Sequence, residues 1–183
     1  MKAMVIKEFG GPDVLEEGFV EDPTPGPEDL VVEVKAASVN PVDMKLRENG
    51  SWAGLPLPAV LGSDVAGVVH SVGSDVQDFQ IGDEVFYTAT LNGRGSYAEL
   101  HRTSAAIVAH KPKGLSFEQA AALPLVGCTA WDAVIERTRI YPGERVLIHG
   151  LGGVGSVAVQ IAKAAGAWVA VTCGDYDFDL ARD

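Results

Sequence analysis

A glycine-rich run near the carboxyl end of the sequence has the spacing of a phosphate-binding turn. Residues 150–155 fit G-x-G-x-x-G and lie between an apolar strand pattern and a helical pattern. Gly150 permits a tight turn, Gly152 lets the backbone approach a pyrophosphate, and Gly155 lets helix and strand pack closely. A helix that starts near Val154 points free N–H groups at a diphosphate. We expect Gly150, Gly152, Gly153, Val154 and Gly155 to bind a dinucleotide; the alternative is a turn that serves the fold alone.

The end of the next strand bears on the choice between NAD and NADP. An acidic residue about 20 positions past the glycines would bind the ribose 2'-hydroxyl of NAD, whereas a small neutral residue leaves room for a 2'-phosphate. The strand ends at Thr172, followed by Cys173 and Gly174, and the nearest carboxylate, Asp175, lies beyond them. We therefore predict NADPH rather than NADH, with Thr172 at the cofactor.

The elements that must position this turn form one βαβ unit. The pattern predicts strands over 145–149 and 168–172, with an amphipathic helix over 156–165 between them. Ser116 and Gln119 form a capping-box pattern that opens an earlier helix, and Pro124 interrupts it. Residues 177–183 resemble the capped first turn of a further helix. Because a single βαβ unit only opens a doubly wound parallel sheet, we expect a fragment or truncated product rather than a complete protein.

The first 111 residues are β-rich and punctuated by glycine and proline. This spacing predicts a compact, partly closed β barrel or sandwich. The predicted strands cover residues 3–7, 30–37, 65–72, 84–88, 96–101 and 106–109.

Composition excludes several classes of function. The net charge of -11 disfavours binding to nucleic acid or to anionic membrane surfaces. No uncharged apolar run is long enough to span a bilayer, and the sequence after Met1 has no secretory signal, so we expect a cytoplasmic protein. Cys128 and Cys173 are too few for a disulfide framework or a structural zinc cluster, and we expect both to be reduced and buried.

Several separated segments resemble the medium-chain dehydrogenase/reductase superfamily, especially its zinc-free quinone oxidoreductase branch. The resemblance implies a GroES-like catalytic domain over 1–125, then an incomplete Rossmann dinucleotide-binding domain over 126–183, with the active site in the cleft between them. It also implies a homodimer for a full-length version. The segments that carry it, besides the glycine run, are residues 10–15, 37–43, 61–69, 72–73, 82–85 and 95–99.

The resemblance also indicates that zinc is absent. The zinc alcohol dehydrogenases of the superfamily place a cysteine at the position of Asn40 and a histidine at that of Ser63. Their third ligand position falls at Leu125, which cannot bind a metal. We therefore predict no metal site.

Without a Lewis acid, conjugated acceptors become the more plausible substrates. A quinone or α,β-unsaturated carbonyl spreads the incoming charge, so hydrogen-bond donors and water suffice. The resemblance places Asn40 near the nicotinamide as the catalytic candidate, with Thr129 contacting the cofactor. Asn40 before Pro41 is alternatively a turn residue, and Thr129 alternatively bonds back within its helix. Asp43 either pins a loop or touches the ligand.

Three hypotheses follow for the function. The first is an NADPH-dependent reductase of quinones or other conjugated carbonyls, inactive as this fragment. The second is an enoyl-thioester reductase, a reductase domain within a larger synthase, or another zinc-free alcohol dehydrogenase-like reductase. The third is a non-catalytic relative that binds nucleotide, or a truncated chain that binds nothing.

Overall fold

The computed structural model describes residues 1–90, 94–175, 179 and 181. The chain divides into two compact units, Met1–Pro124 and Leu125–Asp183. Within the described residues, no helix is both long enough and apolar enough to cross a lipid bilayer.

The first unit is built mainly from two antiparallel sheets. A five-stranded sheet has the order β7-β3-β5-β6-β8, and a three-stranded sheet has the order β2-β1-β4. A bridge between Ala3 and Ala98 continues the pairing of β1 beyond its own sheet. The strands are β1 Lys2–Ile6, β2 Glu16–Phe19, β3 Asp29–Ala36, β4 Ala59–Val60, β5 Asp64–Val72, β6 Glu84–Thr88, β7 Leu100–Ser104 and β8 Ala109–His110.

Burial of the aliphatic residues of β3 and β5 drives formation of the larger sheet. Leu30, Val32, Val65 and Val69 are fully buried or nearly so, and they pack with Val85 of β6. Burying each such side chain contributes about 1.5–3 kcal/mol, which makes these central strands the core of the unit.

The first unit also contains two short helices. Helix α1 spans Pro41–Asn49 and α2 spans Phe117–Ala121. As predicted, Ser116 caps α2, since its hydroxyl accepts the N–H of Gln119 at 3.2 Å while the Gln119 side chain accepts the N–H of Ser116 at 2.9 Å. Short 3₁₀ turns cover Pro12–Val14, Gly50–Ala53 and Ala105–Ile107.

The second unit contains one parallel βαβ motif preceded by a helix. Residues of α3, α4 and the strands bury a small alanine-rich core around Ala130, Val134, Ala158 and Ala162. Small side chains allow close helix packing. The elements are α3 Pro124–Trp131, a π-helical turn Asp132–Arg137, β9 Arg145–His149, α4 Gly153–Ala164 and β10 Trp168–Thr172.

The strands next to the glycine run, and β6, have the bounds that the sequence predicts. Two other predicted strands are wrong. The strand expected over 96–101 lies at Leu100–Ser104, and the one expected over 106–109 is a 3₁₀ turn followed by the two-residue β8. The sequence analysis also did not predict β2, β4 or α1.

Two further expectations change in the second unit, and a third is not tested. Helix α4 begins at Gly153, next to the start near Val154 that the glycine run predicts but three residues before the amphipathic pattern over 156–165. The cysteines are free but not buried, because Cys128 is exposed and Cys173 half-buried. The helical turn predicted over 177–183 falls mostly outside the described residues.

Candidate cofactor turn and buried polar cluster

The glycine run connects the carboxyl end of β9 to the first turn of α4. Gly150 has φ +95°, in the left-handed region that favours glycine, and this reverses the chain as it leaves the strand. Its N–H donates to the carbonyl oxygen of Thr172 at 2.8 Å, which ties the turn to β10. The run therefore forms the strand-to-helix junction that its spacing predicts.

The earlier start of α4 places three of the predicted ligand residues inside its first turn. Gly153, Val154 and Gly155 are the first three helical residues after the N-cap, Gly152. No side chain caps this helix. Because the first N–H groups of a helix have no partner within it, these amides are available to an anion.

The glycines of the run differ in what a side chain would meet. A Cβ on Gly155 would overlap the carbonyl oxygen of Gly150, so the close approach of helix and turn requires glycine there. A Cβ on Gly152 would stand in open space, and φ -71° at this residue suits any amino acid. The space in front of the Gly152 backbone is therefore open, which a dinucleotide-binding turn requires.

The two predicted threonine ligands both use their hydroxyl groups within the unit. Thr129 on α3 donates to the carbonyl oxygen of Leu125 at 2.7 Å, which is the back-bond that the sequence left open as its alternative role. The hydroxyl oxygen of Thr172 lies 2.5 Å from Nδ1 of His149. Both side chains are exposed.

In the first unit, Asn40 belongs to a buried polar cluster. It is 6% exposed, and its Nδ2 donates to Ser38 Oγ and to Asp64 Oδ2, both at 2.9 Å. Ser38 Oγ also donates to Asp64 Oδ2 at 2.6 Å. Since an amide nitrogen carries two hydrogens, both hydrogens of Asn40 are donated inside the cluster.

Asp43 holds the backbone of Asn40 in place within the same cluster. It is 3% exposed and accepts hydrogen bonds from the N–H of Asn40 at 2.8 Å and from Ser63 Oγ at 2.6 Å. The Tyr97 hydroxyl lies 3.1 Å from Asp43 Oδ2 and 3.2 Å from the Ser38 carbonyl oxygen. Burial, followed by the Asp43 and Asp64 carboxylates, raises the pKa of Tyr97, so its phenol remains a neutral donor. We call Ser38, Asn40, Asp43, Ser63, Asp64 and Tyr97 the polar cluster.

Asn40 is the N-cap of α1, with Pro41 in its first turn, rather than an isolated turn residue. A signal for this was present in the sequence. Asn followed by Pro, with Asp three residues after the Asn, is a helix-start pattern in which the acid bonds back to the cap N–H. Read in this way, the pattern would have predicted both α1 and the contact between Asp43 and Asn40.

The donor set of the polar cluster does not fit a zinc ion. Zinc takes cysteine, histidine or carboxylate ligands in a defined geometry. The Asn40 amide and the Ser63 hydroxyl instead donate hydrogen bonds to Asp64 and Asp43. Across the part of the chain that the structure describes, no group of three or more His, Cys, Asp or Glu side chains is arranged to hold a metal.

The fold of the two units defines a class of protein. A GroES-like β domain is followed by the start of a Rossmann-type parallel sheet. The family model described as "Alcohol dehydrogenase GroES-like domain" matches residues 26–122, just over half of the chain. The chain belongs to the medium-chain dehydrogenase/reductase superfamily. This confirms the family and the fold class that the sequence motifs predict.

Curated relatives include proteins of two descriptions. The chain is 40% identical over 177 residues to the quinone oxidoreductase of Homo sapiens, covering 95% of this chain and 53% of that protein. It is 41% identical over 177 residues to a zinc-type alcohol dehydrogenase-like protein of Staphylococcus aureus, covering 90% of this chain and 52% of that protein. The chain thus spans about half the length of these relatives.

Solved structures show the same likeness. An alcohol dehydrogenase superfamily protein from Novosphingobium aromaticivorans superposes with a TM-score of 0.95 at 40% identity, over 100% of this chain and 56% of that one. The Escherichia coli quinone oxidoreductase complexed with NADPH superposes with a TM-score of 0.83 at 36% identity, over 95% of this chain and 53% of that one. The fold is therefore shared along nearly all of this chain.

Proposed function

We propose that this chain is part of an NADPH-dependent oxidoreductase that reduces a quinone or another α,β-unsaturated carbonyl without zinc. The observation that carries the proposal is the uncapped first turn of α4, with open space at Gly152. The glycine run and this helix end suit the diphosphate of a dinucleotide. The similarity to quinone oxidoreductases, one of them solved with NADPH, supports the choice of reaction and cofactor.

The residues of the second unit would hold the cofactor. The backbone N–H groups of Gly153, Val154 and Gly155 would bind the diphosphate, and Thr172 would lie at the adenosine ribose. Thr129 can still accept a hydrogen bond, although its hydroxyl hydrogen is donated to Leu125. When bound, NADPH supplies a hydride for the conjugated acceptor.

We assign Asn40 a positioning role within this function. Because its side-chain hydrogens are donated to Ser38 and Asp64, it holds these groups in place rather than donating directly to an acceptor oxygen. A conjugated acceptor needs less charge stabilisation than a simple ketone, and a proton from solvent completes its reduction. The polar cluster would then supply a fixed polar environment, not a metal.

Nucleotide binding tests this proposal directly. We expect the purified protein to bind NADPH, measured by the change in nicotinamide fluorescence. Gly152→Ala should weaken binding by tenfold or more because its Cβ would occupy the diphosphate space; each tenfold is about 1.4 kcal/mol. Gly114→Ala is the matched control, since its Cβ also meets open space but lies in the first unit. Equal binding by both variants, or no binding by the wild type, would contradict the proposal.

The acceptor is tested in the protein that carries this chain. Faster NADPH oxidation with a quinone or a simple enone than with an enoyl thioester supports the proposed substrate class. The opposite order favours the enoyl-thioester reductase hypothesis. Tight NADPH binding without turnover of any of these acceptors favours a non-catalytic nucleotide-binding protein. Cytoplasmic location and a homodimer remain predictions beside this function.

A further inference from the structure

His101 on β7 is a buried histidine whose two ring nitrogens both have partners. It is 3% exposed, and its Nε2 lies 2.8 Å from the carbonyl oxygen of Arg94. Its Nδ1 lies 2.8 Å from the hydroxyl oxygen of Tyr87 on β6, which is also buried. In the five-stranded sheet, β3 and β5 separate β6 from β7. The ring therefore joins two segments that strand pairing does not connect, the end of β6 and the chain at Arg94.

The two partners fix the protonation of the ring. A carbonyl oxygen only accepts, so Nε2 carries the ring hydrogen and donates it to Arg94. In a neutral imidazole the other nitrogen is then an acceptor, and Nδ1 takes the hydroxyl hydrogen of Tyr87. Across the described residues, Nδ1 of His101 is the only side-chain or backbone partner of this hydroxyl. Protonation of Nδ1 would therefore leave the buried Tyr87 hydrogen without an acceptor.

The surroundings of the ring also favour its neutral form. The ionisable side chains that line the cavity beside His101 are Glu21, Asp22, Asp29, Arg94 and Arg102. Among them, Asp29 of β3 pairs with Arg102 of β7 at 2.6 Å. Burial lowers the pKa of His101, and the hydrogen bond to the Arg94 carbonyl opposes this only in part. Burial also raises the pKa of Tyr87, so its phenol keeps the hydrogen that it donates.

The two segments that the ring joins hold four consecutive carbonyl groups, those of residues 60–63. Just after β6, the N–H of Ala89 donates to the carbonyl oxygen of Ser63 at 2.5 Å. Just after the other partner of the ring, the N–H groups of residues 95–97 donate to the other three oxygens at 2.9–3.1 Å. Ser63 and Tyr97 both belong to the polar cluster. His101 thus ties together the two backbone segments that hold this side of the cluster.

We propose that His101 is a pH-sensitive latch for residues 60–63, and that protonation of its ring opens the latch and loosens the polar cluster at Ser63 and Tyr97. The inference goes beyond the proposed function and does not depend on it. In the open form the ring meets water and has the ordinary histidine pKa of about 6.5. Because the closed form binds the proton less well, the latch is most stable above this pH, and the open population rises as the pH falls below it.

Amide hydrogen exchange, corrected for the intrinsic exchange rate at each pH, measures this opening. For the N–H groups of Ala89 and residues 95–97, the latch amides, we expect the open population to rise about tenfold between pH 7.5 and pH 5.5. His101→Gln should abolish the rise, because a glutamine amide offers a donor and an acceptor but does not titrate. His70→Gln, at an exposed histidine on β5, is the matched control and should keep the rise.

Two measurements on the wild type separate the latch from unfolding of the whole unit. The N–H of Val69 on β5 donates to the Asp83 carbonyl oxygen at 2.9 Å and should stay better protected than the latch amides at both pH values, since the latch opens without unfolding the sheet. Nitrogen NMR should show the hydrogen of the His101 ring on Nε2 at pH 7.5.

Four results would overturn this inference. They are a ring hydrogen on Nδ1 of His101, equal protection of Val69 and the latch amides, no rise in opening of the wild type at pH 5.5, and the same rise in His101→Gln. None of them bears on NADPH binding, so the proposed function is tested separately.

Discussion

Asp43 allows a quantitative test of the polar cluster. Replacing Asp43 by alanine would leave two buried donors without their acceptor, the N–H of Asn40 at 2.8 Å and the hydroxyl of Ser63 at 2.6 Å. The Tyr97 hydroxyl keeps an alternative acceptor, the Ser38 carbonyl oxygen. A buried donor without a partner costs about 1–3 kcal/mol. We therefore expect Asp43→Ala to lower the free energy of unfolding of the first unit by about 3 kcal/mol.

Amide hydrogen exchange measures this effect in the first unit alone. A loss of about 3 kcal/mol should lower the protection of amides in α1 and β5 by roughly a hundredfold, since 1.4 kcal/mol corresponds to a factor of ten. Asp78→Ala, at an exposed aspartate of the same unit, is the control and should change protection little. If both variants exchange alike, the cluster does not stabilise the fold, and our reading of its hydrogen bonds is wrong.

Three other substitutions test separate features. Burial lowers the pKa of His101, so the first unit should lose stability as the pH falls below about 6.5, the pKa of histidine in the unfolded chain. The variant His101→Gln should lose less stability between pH 7.5 and pH 5.5, measured by urea unfolding at both values. Gly155→Ala should destabilise the second unit by about 1–3 kcal/mol through overlap with Gly150, seen as a lower urea midpoint, while Gly152→Ala should not. Ser116→Ala should cost about 1 kcal/mol, measured by faster exchange of α2 amides.

The sequence predicts strands best where local composition alone marks them. Strands β9 and β10 are short apolar runs between clear turns, which is the pattern of a parallel strand. Strand β7 breaks the rule because the side chains it buries are His101 and Thr103, which are polar. His101 is satisfied there by Tyr87 and by the Arg94 carbonyl oxygen, each at 2.8 Å, and no local pattern shows these distant partners.

Edge strands and the polar cluster show a second limit. Strand β2 has the sequence EEGF and, among the strands that the structure describes, pairs only with β1, so it carries little apolar signal. The cluster joins Ser38 and Asn40 to Asp64, which is distant from both along the chain and meets them through sheet pairing and α1. Asn40 was a candidate through the resemblance to the superfamily. That both hydrogens of its amide are donated to neighbours required the structure.

The glycines of the glycine run serve different needs, and this is evidence against a turn that serves the fold alone. Gly150 and Gly155 are required by the fold, through a left-handed φ at the first and a backbone overlap at the second. Gly152 has neither constraint, and a serine or aspartate there could cap α4 and satisfy one of its free amides. Glycine instead leaves the amides open and the space in front of them clear. A ligand that approaches the backbone closely is a physical reason for this choice, and it is the reason that the Gly152→Ala binding experiment tests.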